Sequence, residues 1–333
     1  MPELRKDPVF DRWVIIATER ANRPNQFDAR SDLGQGAPCP FCSGNESMTP
    51  PEILARRPAG LAPNAPGWTL RVVPNKFPAL VLSGELDRRV DTIYDSMEGV
   101  GAHEVIIETP RHESDVGALS DAELQDVIAA YQERIRALKR DFRLRSILIF
   151  KNQGAEAGAT IDHAHSQIVA MPLAPPVIAA ELRAGMRHYQ NTGRCIYCDI
   201  LAHELKVRAR LVAATEKFLV ACPFASRFPF ETWIVPRRHA ACFEDATSSE
   251  AAALAAAMKD TLGRMRRALG APAFNYVIHS MPAGEAEPRS YHWHIEIMPK
   301  LTQAGGFEWG SGCFINPVAP EAAASTLRGQ KDR

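Results

Sequence analysis

The chain repeats itself, and the repeat limits what it can fold into more than any single motif does. A Cys-x-x-Cys pair occurs twice, Cys39/Cys42 in PCPFC and Cys195/Cys198 in RCIYC, and each opens the same succession of segments. After the first come LRVVPNKFPALVL and HEVIIETPRH; after the second come FLVACPFASRFPF and ETWIVPRRH. Each copy continues with an amphipathic stretch behind a Ser or Thr, SDAELQDVIAAYQERIRALKR and TSSEAAALAAAMKDTLGRMRRAL, whose apolar residues at three-and-four spacing read as a capped helix. An apolar strand follows in both, SILIFKNQG and FNYVIHSMP, and leads through small residues to a His-x-His strand, HAHSQIVAMP and HWHIEIMPK. This order predicts an α+β fold of two histidine-triad-like halves, residues 1–172 and 195–333, each an antiparallel sheet with helices. The segment 173–194 between them is expected to contain a helix.

At 333 residues and 46% hydrophobic, the chain can bury two cores or one large fused core. Lys plus Arg and Asp plus Glu both total 39, so no basic excess points to nucleic acid or an anionic membrane. No run approaches the ~20 apolar residues of a membrane span, and the first residues lack the apolar core of a signal peptide. A cytoplasmic location is the expectation. Four of the seven cysteines fall in the two pairs, a usage that favours metal over disulfides. Cys222, Cys242 and Cys313 receive no role.

A tetrahedral zinc site needs two more ligands beside each thiolate pair. Aligning HEVIIETPRH with the second copy sets His112 opposite His239 and His103 opposite Phe230. The intervals agree, with 51 residues from His112 to His163 and 53 from His239 to His292. The sequence therefore assigns Cys39, Cys42, His112 and His163 to one zinc, and Cys195, Cys198, His239 and His292 to another. Both sites are closed and structural, because four protein ligands leave no position for substrate. His103 is expected at a strand end or on the surface.

Along a strand, alternate residues share a face, so His163 and His165 point the same way. One can bind metal while the other meets substrate, and a neutral imidazole is a competent nucleophile towards phosphorus. Gln167 continues that face and can donate its amide to a phosphoryl oxygen; Ser166 offers a hydroxyl or a backbone donor. The preceding loop, Asn152 to Thr160, contains Gly154 and Gly158 and would let phosphate approach backbone N–H groups. The second half has His294 and Glu296 in the corresponding places, and a carboxylate there would repel an incoming phosphate. It is expected to be a structural twin without a nucleophile.

These residues resemble the galactose-1-phosphate uridylyltransferase branch of the histidine-triad superfamily. The likeness runs through RKDPVFDRWVIIATERANRP, CPFCSGN, RVVPNKFPAL, NQGAEAGATIDHAHSQ and HWHIEIMPK, and on to GFEWGSGCFINP. It implies a covalent nucleotidyl intermediate on His165, with Gln167 on the α-phosphoryl group and Asn152 and Thr160 near phosphate. It further implies that Asn75 and Lys76 lie near base and ribose, and that Arg20 and Arg23 contact phosphate. Gly310, Gly312 and Asn316 would form a sugar-phosphate loop, which in this family can come from the other subunit of a homodimer. The implied reaction exchanges sugar 1-phosphates on a nucleoside diphosphate sugar by a ping-pong route. Uridylyltransferases usually read His-Pro-His-Gly-Gln, whereas this chain has Ala164 and Ser166 in the small positions and keeps a full second Cys-x-x-Cys. Both departures resemble adenylyl-transferring relatives such as ADP-glucose phosphorylases and ADP-sulfate adenylyltransferases. A nucleotide hydrolase and a zinc-stapled nucleotide-binding protein are the remaining alternatives.

Overall fold

A computed structural model describes residues 2–6, 13–16, 38–113 and 115–329. The first half contributes strands β1 (Glu3–Lys6), β2 (Trp13–Ile16), β3 (Leu54–Arg56), β4 (Leu70–Pro74), β5 (Arg89–Asp91), β6 (Tyr94–Glu98) and β7 (Ala102–Ile107). Helix α1 (Asp121–Leu138) follows, then β8 (Ser146–Gln153) and β9 (His165–Met171). Helices α2 (Pro176–Thr192) and α3 (Ile196–Val207) lead into the second half. That half holds β10 (Leu211–Ala214), β11 (Phe218–Ala221), β12 (Thr232–Pro236), α4 (Ser248–Leu269), β13 (Phe274–His279) and β14 (His294–Pro299), ending with α5 (Gly306–Ser311) and α6 (Pro320–Leu327).

The expected antiparallel sheets are present, and they meet edge to edge. One ten-stranded sheet runs β10-β11-β12-β14-β13-β8-β9-β7-β4-β3, with β13 and β8 paired antiparallel at its centre. Read outward from that seam, β8-β9-β7-β4-β3 and β13-β14-β12-β11-β10 are the same list of repeat-equivalent strands, so the halves are related by an approximate two-fold axis. The seam registers Ile149 against Ile278 and Lys151 against Tyr276. A separate four-stranded sheet, β2-β1-β6-β5, belongs to the first half alone.

Helices α1 and α4 pack against each other and cover the same side of the large sheet. Both start with a reciprocal cap: Ser120 with Glu123, and Thr247 with Glu250, each Ser or Thr oxygen accepting from the N3 amide while the Glu returns to the cap amide. Their apolar faces join the inner faces of both half-sheets in one continuous core, including Ile106, Tyr131, Ile149, Ile168, Met258, Tyr276 and Ile295. Helix α2 occupies the linking segment; it begins at Pro176, where a missing N–H costs nothing, and ends at Gly193 with φ +70°. Among the described residues, no helix is long and apolar enough to cross a membrane.

Candidate active site and metal clusters

The first Cys-x-x-Cys loop lies against the end of β7 and the turn before β9. Cys42 Sγ is 3.4 Å from His112 Nδ1 and 3.7 Å from His163 Nδ1, and Cys39 Sγ is 3.6 Å from His163 Nδ1. Ligands of a tetrahedral zinc at ordinary bond lengths stand roughly 3.5 Å apart, S to N, so the four side chains fit that ion. His163 Nε2 donates to the Thr109 carbonyl at 2.8 Å, which fixes the tautomer that presents Nδ1 to a metal. Burial holds the His163 imidazole below its ordinary pKa and pushes the Cys39 thiol up to about 11. A cation at the centre would offset that penalty on the thiolate.

The second cluster repeats the first. Cys198 Sγ lies 3.4 Å from His239 Nδ1 and 3.6 Å from His292 Nδ1, and the ligating atoms of all four residues fall within 4.8 Å of one another. Burial lowers the pKa of His292, while a hydrogen bond from Cys198 lowers that of Cys195. Both sets assigned from sequence are thus brought together as groups that could hold a metal.

His165 opens β9 directly after the first cluster. Its Nδ1–H donates to the main-chain oxygen of His163 at 2.7 Å; a carbonyl can only accept, so when the ring is neutral Nε2 is the unprotonated nitrogen. The ring borders a cavity of about 270 Å³ whose walls include Pro40, Phe41, Met48, Val73, Phe77 and Ile161. Asn75, Lys76, Thr160 and Gln167 also border it. Asn152, Gly158, Gly310, Gly312 and Asn316 do not border it. Asn152 Oδ1 accepts from Asn275 Nδ2 at 2.8 Å, and the same nitrogen bonds the Ala157 carbonyl, so the two asparagines hold the loop to the second half. Gly158 closes that loop at φ +85°, a backbone state that a side chain would strain. Asn316 donates to the carbonyls of Ser226 and Phe228, and Gly312 terminates α5 at φ +71°. Arg20 and Arg23 lie outside the described residues.

Ser166 requires a correction. Alternation along β9 turns its side chain away from the cavity and into the core, where it is fully buried and its Oγ accepts from Tyr131 Oη at 2.6 Å. Tyr131 Oη is also 2.7 Å from Tyr276 Oη, which reaches across from the second half. The Ser166 hydroxyl therefore braces the rear of the strand and does not meet substrate.

His103 was missed by sequence reasoning. It lies within β7, 6% exposed, and its Nε2 is 2.8 Å from Gln167 Oε1. The alignment that set it opposite Phe230 was out of step by one residue. Val105 pairs with Gln167, and Trp233 pairs with Glu296, so the counterpart of His103 is Glu231. Gly101 directly precedes the strand that carries His103.

The twin of the active site has become an ionic cluster. Glu181, His279, His294 and Glu296 place their polar atoms within 4.8 Å of one another. Glu181 accepts from Tyr291 Oη and lies 2.8 Å from His279 Nδ1, while Arg227 binds both Glu231 and Glu296. Burial opposes a charge on His294, yet the facing carboxylates of Glu296 and Glu181 outweigh it and raise its pKa. Glu181, on the linking helix, supplies the partner of His279 from a segment outside the repeat.

Known proteins resemble this chain over nearly its whole length. The family description "Galactose-1-phosphate uridyl transferase, N-terminal domain" matches residues 1–175, and the corresponding C-terminal domain matches residues 181–305. An ADP-glucose phosphorylase of Arabidopsis thaliana is 36% identical over 98% of this chain and 92% of its own length. A galactose-1-phosphate uridylyltransferase of Thermotoga maritima is 28% identical over 98% of both. The crystal structure of an Arabidopsis thaliana ADP-glucose phosphorylase with bound ADP-glucose superposes with a TM-score of 0.79 at 35% identity, covering 99% of this chain and 100% of that one. A uridylyltransferase structure superposes at 0.82 and 27% identity, covering 98% and 97%. With both domain descriptions matched in order on a duplicated fold, the chain belongs to the galactose-1-phosphate uridylyltransferase family.

Proposed function

We propose that the protein is a hexose-1-phosphate nucleotidyltransferase that works by double displacement at His165, with an adenine nucleotide sugar as its donor and inorganic phosphate or a sugar 1-phosphate as its acceptor. The observation that carries this reading is the His165 hydrogen bond to the His163 carbonyl, which leaves Nε2 unprotonated beside the cavity. The Nε2 lone pair forms a bond to the α-phosphorus as the bond to the bridging oxygen breaks, and the sugar 1-phosphate leaves with that electron pair. The acceptor oxygen then attacks the same phosphorus and returns the pair to Nε2. Gln167 supports the charge that builds on the phosphoryl oxygens, while Asn75, Lys76 and Thr160 hold the nucleotide.

Adenine is favoured over uracil by two supports: the 36% identity to an ADP-glucose phosphorylase, and the apolar walls of the cavity, which suit a broad purine face. Zinc in each Cys₂His₂ cluster would clamp the strand that follows it, and in the first half that strand presents His165. In a homodimer, Gly310, Gly312 and Asn316 would approach the partner's sugar phosphate. The exposed Phe307, Trp309 and Ile315 around them are consistent with a covered surface.

The test is intact-mass spectrometry after separate incubation with ADP-glucose and UDP-glucose. An adenylyl increment with the first and little change with the second is expected. A uridylyl increment alone would reverse the base assignment, and steady release of free nucleoside monophosphate without any adduct would defeat the transferase reading.

A further inference from the structure

An amide side chain that must donate to a phosphoryl group has a difficulty of its own: its two ends are nearly the same shape, and a half-turn presents the oxygen instead. Something has to hold Gln167 with its NH₂ group outward. The ring of His103 lies behind it, on the neighbouring strand β7, with both ring nitrogens engaged. Its Nδ1 accepts from the main-chain N–H of Ala79 at 3.0 Å. A backbone N–H can only donate, so the ring proton sits on Nε2. That nitrogen is 2.8 Å from Gln167 Oε1, which can only accept. Asn75 Nδ2 lies 3.1 Å from the same nitrogen, but Asn75 Oδ1 accepts from Phe77 N–H at 2.9 Å, so Nδ2 is also a donor and the Nε2 proton is left to Gln167.

We infer that His103 is a positioning residue for the Gln167 amide: a relay from the Ala79 N–H through the imidazole to Gln167 Oε1 locks the amide with its NH₂ group towards the phosphoryl site. The second half shows what the same place looks like without this arrangement. There Glu231 stands for His103 and Glu296 for Gln167, and Arg227 bridges the two carboxylates. That side presents no amide donor. The inference rests on the transferase reading, since an aligned donor at Gln167 matters only if a phosphoryl group is transferred beside it.

The experiment combines single-turnover kinetics with a direct view of the ring. On substituting His103→Ala, the rate of adenylyl adduct formation from ADP-glucose is expected to fall about ten- to a hundredfold while the half-saturating concentration moves by less than about threefold, the pattern of a donor used in the transition state. His103→Gln, which keeps an N–H at the position of Nε2, should restore most of the rate. In a Gln167→Ala background, His103→Ala should cost little more, because the relay then has nothing to orient. Equal fractional losses in both backgrounds, or no rescue by Gln, would overturn the inference. Nitrogen-15 resonances of labelled histidine in the intact wild-type protein supply a readout independent of any variant's folding: a His103 proton on Nε2 is expected, and one on Nδ1 overturns the relay. A wild-type protein that forms no adduct with either nucleotide sugar would defeat the transferase reading and this inference together, whereas an adduct with additive losses defeats the inference alone.

Discussion

Lys151 Nζ stands 2.9 Å from the main-chain oxygen of His165 and 2.7 Å from Glu108 Oε2, so the backbone of the proposed nucleophile hangs from an ion pair that water does not reach. Removing one member would strand the other charge. Lys151→Met is expected to cost about 3–5 kcal/mol, the usual penalty for breaking a buried pair, whereas Lys151→Met with Glu108→Leu should lose less than the single change. Urea unfolding of the two variants decides it. A single variant within about 1 kcal/mol of wild type would mean that the pair contributes little.

The nucleotide is expected on His165 and not on His294, although both are second members of a His-x-His sequence. His294 is completely buried, with its ring packed against Tyr197, Trp233 and His279, which leaves no path for a phosphorus atom. Peptide mapping of the wild-type adduct reads the position directly. His165→Ala should abolish the label with zinc content unchanged; loss of zinc in that variant would indicate that His165 and His163 had been exchanged in their roles.

The two metal clusters should be separable. Cys39→Ser and Cys195→Ser are each expected to lower bound zinc from two ions per chain to one, measured by elemental analysis of the purified proteins. Only the first should also slow adduct formation sharply, because only the first cluster contains the histidine whose carbonyl orients His165. If both variants keep two equivalents, the ion is held by other residues.

Glu250 makes one helix cap pH-sensitive. Its hydrogen bond with Arg238, helped by the Thr247 amide and hydroxyl, holds its carboxyl at about 2 against an ordinary 4.5. A depressed carboxylate contributes stability above its unfolded pKa and loses it as pH falls through the folded value. Glu250→Gln should therefore be less stable than wild type at neutral pH, with a gap that narrows between pH 4.5 and 2. Denaturation midpoints across that range test the sign, and a gap that widens in acid would refute it.

The two Cys/His clusters were legible because metal chemistry restricts both residue type and spacing, and the repeat supplied each grouping with an independent copy. The place of His165 beside the cavity was legible for the same reason: its neighbour's place in a cluster left it as the second His on that face. His103 was not, since nothing local distinguishes a buried strand histidine from an exposed one; its meaning lies in Gln167, 64 residues later. Ser166 was misread for want of one step, as the alternation that put His165 and Gln167 on one face already sent Ser166 to the other. Glu181 escaped because a search by repeat is blind to whatever only one copy contains. The joining of the half-sheets was equally hidden, since β8 and β13 are apolar runs that could lie inside separate sheets as readily as beside each other.

The β8–β13 seam means that neither half is a self-sufficient fragment. Cut apart, each would expose the backbone donors and acceptors of a long apolar strand, together with the helix face that the other half's helix now covers. A lone first half would be expected to seek a second copy of itself, closing the same ladder as a symmetric pair with two nucleophiles. The covalent link between unlike halves removes that requirement for symmetry. One copy could keep an open site while the other enclosed its second histidine, His294, and became a permanent partner.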